Sequence, residues 1–239
     1  MSEHVLGRAE FDRQREYFDA TGNQYDPRLI ASPPRHVRTE IALVIEKLDG
    51  LSTDDWIVDF GAGTGRLTYP LLAAGYHVVA VDVSRASLAK IAEVTRDLPD
   101  RVLRTHDSLP PGERFVALTG ADILHHVDLA TQIPRFAEAL EDGGRLAFSE
   151  PNGLNPFWYI FITLFLDWKV ERHIIHCHGP GISRHLKDSG FKDVRIHGLG
   201  LLPTALFNWS RLLDRVNRWL GQLPLLRLFA YRIIVTAVR

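Results

Sequence analysis

Residues 56–68 read WIVDFGAGTGRLT. Trp56, Ile57 and Val58 are apolar residues that favour extended chain, and Asp59 and Phe60 close the run. Gly61, Gly63 and Gly65 then alternate through a turn, and Leu67, Leu71 and Leu72 open a helical pattern. The stretch predicts strand, glycine loop, helix. Glycines permit the tight turn and let a ligand approach bare backbone. The loop delivers that ligand to the free N–H groups of a helix N-terminus. The alternative is a tight turn with no ligand.

Tyr76–Val83, YHVVAVDV, predicts a second strand ending at Asp82. A carboxylate at that tip can accept both hydroxyls of a ribose. A dinucleotide fingerprint needs G-x-G-x-x-G, and its third glycine falls on Arg66 or Thr68 in the two available registers. No Gly-Lys-Ser/Thr follows the glycines, so a P-loop is excluded as well.

Asp59–Gly65, DFGAGTG, resembles the first motif of class I S-adenosylmethionine-dependent methyltransferases, and Asp82 matches that family's acidic residue after the second strand. The similarity continues through Leu103–Asp107, Phe115–Val127 and Phe148–Pro156. It implies a Rossmann-like α/β fold with a seven-stranded, mostly parallel sheet and an antiparallel last strand. It implies S-adenosylmethionine as cofactor, with Asp59, Gly61, Ala62, Gly63 and Gly65 at its methionine part. Asp82 and Val83 are then expected at the ribose, Asp107 or Ser108 beside adenine, and Gly120 where the charged end passes. The fourth strand departs from the family pattern at Val116, where an acidic residue is usual.

A chain of 239 residues suffices for one domain with a substantial core. A net charge of −1 gives no basic nucleic-acid footprint. The single cysteine, Cys177, excludes an internal disulfide framework. The first residues lack an apolar signal-peptide core, and a cytoplasmic location is expected.

The expected organisation is a helical arm (1–48), a cofactor core (49–150) and two substrate-cover elements (151–180 and 199–230). Within the arm, a helix is read near Glu10–Tyr17, a loop over Thr21–Pro34 and a second helix over Val37–Leu48. In the family such an arm closes over the cofactor, which makes Tyr17 and Tyr25 candidate lid residues. Helices are read at Ser87–Leu98, capped by Ser84, and at Ile133–Leu140, ended by Gly143–Gly144. The third to sixth strands are read at Arg101–Arg104, Phe115–Thr119, Arg145–Ser149 and Phe191–Gly198, and the last at Tyr231–Val238.

His125 and His126 follow the fourth strand at the sheet edge where open α/β sheets bind ligands. Either can take a proton from an acidic acceptor, orient it, or support the loop. Being adjacent, they are not expected to share a role. Glu150-Pro151-Asn152 resembles an element of small-molecule methyltransferases, and Glu150 and Asn152 either hold a substrate hydroxyl or fix a loop. The sequence ERHIIHCH at 171–178 lacks standard zinc spacing, and no metal is expected.

Phe157–Trp168, FWYIFITLFLDW, is nearly all apolar but too short to span a bilayer. With Trp158 and Phe161 it is read as a pocket wall or a membrane contact rather than simple core. Trp209, Leu212, Leu213, Val216 and Leu220 recur at helical spacing, with Arg211, Arg215 and Arg218 off that stripe. Such a helix lies on an anionic membrane or packs on its own domain. The expected function is methyl transfer from S-adenosylmethionine to a hydrophobic small molecule, at oxygen. The alternatives are transfer to carbon or nitrogen, and a non-catalytic cofactor-binding or interaction module.

Overall fold

The computed structural model describes residues 15–20 and 27–239. Its sheet comprises β1 (Trp56–Phe60), β2 (His77–Val81), β3 (Leu103–His106), β4 (Phe115–Ala121), β5 (Leu140–Pro151), β6 (Lys192–Leu199) and β7 (Arg232–Val238). The strand order is β3-β2-β1-β4-β5-β7-β6. The first five strands pair in parallel, and β7 runs antiparallel between β5 and β6. β6 forms the outer edge and runs with the parallel set, so the reversed strand lies one place inside.

The central strands are apolar at consecutive positions because both faces of the sheet are covered. Val58, Val79, Leu118, Phe148 and Val235 face one side. There they meet α6 (Leu129–Ala139) through Ile133 and Phe136, and α9 (Gly179–Asp188) through Ile182 and Leu186. Their neighbours Ile57, Val78, Ala117, Ala147 and Ile234 face the other side. There they meet α3 (Arg35–Glu46) through Ile41 and Val44, and α4 (Thr68–Ala73) through Leu71.

Residues 15–20 are helical (α1). The stretch read as a loop contains a short helix, α2 (Pro27–Ala31); residues 21–26, and Tyr25 with them, lie outside the described residues. Ser84 caps α5 (Arg85–Val94), its hydroxyl accepting from the Ser87 N–H at 3.1 Å. Asp128 caps α6 a turn earlier than read, and Gly143–Gly144 does not end that helix. The glycine pair lies inside β5, where Gly143 takes φ 82° and the register with β4 shifts. Gly144 accepts from the Arg239 N–H at 2.9 Å, which extends the ladder to the chain's last residue.

After β5 come α7 (Pro156–Phe165) and α8 (Trp168–Glu171). His178 caps α9, its Nδ1 accepting from the Gly181 N–H at 3.1 Å. Between β6 and β7 lies α10 (Arg211–Leu220).

Candidate active site

β1 and β4 are neighbours in the sheet, while the chain reaches them through crossovers in opposite directions. That switch point opens a crevice at the C-terminal ends of the strands. A cavity of about 1920 Å³ occupies it. Its walls are the glycine loop, the tip of β2, residues 107–113, the loop from β4 into α6, residues 173–185, and Arg15 and Phe18 of α1.

The glycine loop is built from left-handed turns. Gly61 (φ 70°) and Ala62 donate their N–H groups to the Val81 carbonyl at 2.8 and 3.0 Å. A Cβ on Gly61 would lie 2.3 Å from Ile123, whereas a Cβ on Gly63 (φ 51°) would meet nothing within 4 Å. Gly61 is therefore required by both packing and backbone, and Gly63 by backbone alone, facing open space. Gly65 (φ 102°) does not line the cavity; it approaches Ile91 of α5 and shapes the turn into α4.

Asp82 braces this loop. One carboxylate oxygen accepts from the Gly63 N–H at 2.7 Å and the other from the Ser84 N–H at 2.8 Å. Each oxygen keeps a further lone pair for a ligand hydroxyl. Burial is the main cause that raises its pKa, against both hydrogen bonds. Asp59 lies deeper, with Oδ2 accepting from the Thr68 hydroxyl at 2.6 Å. Its Oδ1 is buried with no hydrogen-bond partner among the described residues, a polar atom that a bound cationic or N–H group would satisfy. Burial pushes the Asp59 pKa up to about 7, opposed by the Thr68 bond. Ala62, Val83, Asp107 and Ser108 also line the cavity. Gly120 does not; a Cβ there would collide with Phe148 at 2.4 Å, so its glycine serves sheet packing, and Ala121 and Asp122 form the wall instead.

The other half of the site is organised by Glu150, which is buried at the end of β5 behind the cavity wall and does not line the cavity. Its Oε1 accepts from the N–H groups of Ile123 and Leu124 at 2.9 Å each, and its Oε2 lies 2.9 Å from His125 Nδ1. His125 Nε2 lies 3.3 Å from Glu171. Burial lowers the His125 pKa, but the bonds to Glu150 and Glu171 outweigh it and hold it at about 9. His125 is thus an imidazolium that donates from both nitrogens. The rings of His125 and His126 are 4.0 Å apart. Burial, and then the charge on His125, hold the His126 pKa well below its usual value. Both histidines line the cavity; His126 is the neutral one, with Phe18 edge-on at 5.4 Å.

His125, Glu150 and Cys177 lie close enough to share an ion, as do His125, His126 and Glu171. Both groups centre on His125, whose proton-bearing nitrogens already serve the two carboxylates.

Several expected substrate residues sit elsewhere. Asn152 is buried and donates to the carbonyls of Leu228 and Ala230, both at 2.9 Å. Trp158 donates its indole N–H to the Tyr231 carbonyl at 2.5 Å and stacks on the Tyr231 ring. Phe161 points outward from α7, and neither aromatic lines the cavity. Tyr17 packs edge-on against Phe18, and Phe18, not Tyr17, reaches the cavity.

The sequence reading missed an ionic cluster that reaches from the cavity wall into the sheet. Asp122, at φ 59°, accepts from Arg66 and Arg232 at 2.5 Å each. Enclosure works to raise its pKa, but Arg232 and then Arg66 hold it well below the usual carboxylate range. Glu40 of α3 lies 2.9 Å from Arg232 and accepts from the Ser149 hydroxyl at 2.8 Å. The cluster ties the glycine loop, β4, β5, β7 and α3 together. The sequence signal for it was weak, since its members lie up to 192 positions apart (Glu40 to Arg232).

The methyltransferase-domain family matches residues 58–146. An uncharacterized methyltransferase of Mycobacterium tuberculosis (strain ATCC 25618 / H37Rv) is 40% identical over 94 residues, covering 38% of this chain and 37% of that protein. The ubiquinone biosynthesis O-methyltransferase of Rhodopseudomonas palustris (strain BisA53) is 29% identical over 116 residues, covering 47% of this chain and 41% of that protein. The chain thus spans less than half the length of these curated relatives. Among solved structures, the Synechocystis magnesium protoporphyrin IX methyltransferase with bound S-adenosylhomocysteine superposes with a TM-score of 0.61 at 20% identity, covering 95% of this chain and 99% of that one. A Haemonchus contortus phosphoethanolamine N-methyltransferase gives 0.64 at 18%, covering 94% and 60%. At these identities the likeness is one of fold. Strand order and glycine-loop geometry are those of the class I, Rossmann-like methyltransferase fold, and residues 58–146 are similar to the methyltransferase-domain family.

Proposed function

We propose that the protein transfers the methyl group of S-adenosylmethionine to an oxygen of a small, largely apolar molecule. The observation that carries this reading is the pairing, across one cavity, of the Asp82-braced glycine loop with a neutral His126. The cofactor brings a methyl group on a sulfonium, an already activated leaving group. The chain's own residues fit it: Gly63 presents backbone to open space, Asp82 has lone pairs for the ribose hydroxyls, and buried Asp59 Oδ1 awaits a donor.

On the acceptor side, Ile123, Leu124, Val127 and Leu129 supply apolar wall and His126 a polar group. A neutral imidazole accepts a hydrogen bond from an acceptor hydroxyl; as the oxygen–carbon bond forms and the carbon–sulfur bond breaks, the hydroxyl becomes acidic enough for even this weakened base to take its proton. His125 cannot do this, because each of its ring nitrogens carries a proton directed at a carboxylate, Nδ1 at Glu150 and Nε2 at Glu171. It positions the loop and keeps its neighbour neutral. The relatives named as ubiquinone biosynthesis O-methyltransferases support oxygen as the acceptor atom, and the apolar wall supports an apolar acceptor.

The test is a radiolabelled methyl-transfer assay against a panel of catechols and apolar phenols, with the product's linkage identified by mass spectrometry. His126→Gln is expected to lower kcat at least about tenfold while leaving S-adenosylhomocysteine affinity unchanged. Transfer only to nitrogen or carbon acceptors, or binding without turnover on any acceptor, overturns the reading.

A further inference from the structure

Helix α10 is inverted for a helix that packs on its own domain. Its buried positions are Asp214 and Asn217, while Leu212 is 68% and Trp219 58% exposed, with Leu213 and Val216 also outward. Asn217 explains the inward polar face: it accepts from the N–H groups of Leu201 and Leu202 and donates to the Leu202 carbonyl, all at 3.0 Å. Asn155, the cap of α7, donates in the same way to the carbonyls of Leu201 and Phe229. These buried amides anchor the backbone of α7, residues 201–202, α10 and residues 228–230 as one layer, and the apolar side chains are left outside. Trp209 and Leu225 are each 78% exposed, and Ile160, Leu164, Phe165 and Phe229 are exposed on the same elements. Exposed apolar surface on this scale marks an interaction site.

Charge decides between occupants. Residues 199–230 carry Arg211, Arg215, Arg218 and Arg227 against a single acid, Asp214, in a chain of net charge −1. Asp214 pairs with Arg218 at 3.2 Å. Arg211 and Arg215 flank the Leu212–Val216–Trp219 stripe and are exposed, as is Arg227. A two-fold contact with a second copy would set this basic rim against itself. An anionic lipid surface complements it, and tryptophans among leucines suit the interfacial zone. No helix among the described residues is long and apolar enough to cross a membrane.

We propose that α7, α10 and the connections around them form a face that docks in the plane of an anionic bilayer. α7 follows β5, and the residue 200–230 insertion follows β6, and both strands run with β1 and β4. The docking face therefore leaves the sheet at the edge where the cavity opens, and an apolar acceptor dissolved in the bilayer meets the protein beside its site.

The experiment is co-sedimentation of the full chain with phosphatidylcholine vesicles and with phosphatidylcholine–phosphatidylglycerol vesicles, alongside light scattering for oligomeric state. The wild type is expected to sediment strongly with the mixed vesicles and weakly with the neutral ones. Arg211→Glu/Arg215→Glu is expected to lose about tenfold or more in affinity for the mixed vesicles only. Leu212→Glu/Trp219→Glu is expected to lose binding to both, and circular dichroism melts check that each variant is folded. No sedimentation with either vesicle, or binding indifferent to both variants, overturns the proposal. A wild-type dimer that Leu212→Glu/Trp219→Glu splits into monomers overturns it too, by assigning the face to a second copy.

Discussion

His125 and His126 are adjacent in the chain, and one is charged while the other is neutral. The physical reason is Glu150, which caps the turn after β4 with one oxygen and holds the His125 proton with the other. The His125 pKa of about 9 lies above its unfolded value of 6.5, so the folded protein holds a proton that the unfolded chain releases. That stabilisation is complete below pH 6.5 and is lost as pH rises through about 9. Urea unfolding across this window is expected to show stability falling by up to about 3 kcal/mol from this group. His125→Gln should flatten that slope and cost about 3–5 kcal/mol at neutral pH by stranding buried Glu150. Asp82 makes a second test. Asp82→Ala removes both the loop brace and the ribose acceptor, and calorimetry should show S-adenosylhomocysteine binding weakened by about 1.5–3 kcal/mol. Asp82 was legible because its place after β2 is set by strand length and glycine spacing alone. The charge state of His125 was not, because Glu150 and Glu171 are distant in sequence and only the fold brings them together.

At the scale of elements, periodicity and caps located the helices of the cofactor core, and the apolar pairs Ile57–Val58 and Val78–Val79 located its strands. Gly143–Gly144 was misread as a helix stop because glycine favours both a C-terminal cap and a strand irregularity, and only pairing with Arg239 separates the two. The helical stripe read from Trp209, Leu212, Leu213, Val216 and Leu220 locates α10, although Trp209 precedes the helix and Trp219 is the exposed residue at its far end. It leaves open which way the stripe faces. Sequence amphipathicity fixes a face, not its direction; Asn217, bonded to residues 201 and 202, turns the polar side inward. This inverts the usual consequence of substitution. Leu212→Ser is expected to leave urea stability within about 0.5 kcal/mol of wild type, as for an exposed site. Asn217→Leu, which makes the helix more apolar, is expected to destabilise by about 1–3 kcal/mol through the unpaired backbone groups it leaves behind.

On the scale of the whole molecule, the cavity joins parts that the sheet alone does not hold together. α1 touches both halves. Asp19 accepts from the Ser84 hydroxyl at 2.6 Å, next to the Asp82 brace, while Phe18 rests edge-on against His126. The arm therefore links the cofactor side to the acceptor side through two adjacent residues. A ligand that binds only the folded chain stabilises it by about 2.7 kcal/mol at a hundred times its dissociation constant. S-adenosylhomocysteine at that excess should raise the melting temperature, and NAD, for which the glycine loop has the wrong spacing, should not. If α1 belongs to the binding unit, the two contacts separate by readout. Asp19→Ala loses a charge-assisted bond at the cofactor end, so its S-adenosylhomocysteine dissociation constant should rise about ten-fold, with the melting shift reduced to match. Phe18→Ala keeps that bond, so cofactor affinity should hold while the acceptor's KM rises. Equal effects of both variants on both constants would mean that the arm merely shields the domain, with no division between its two contacts.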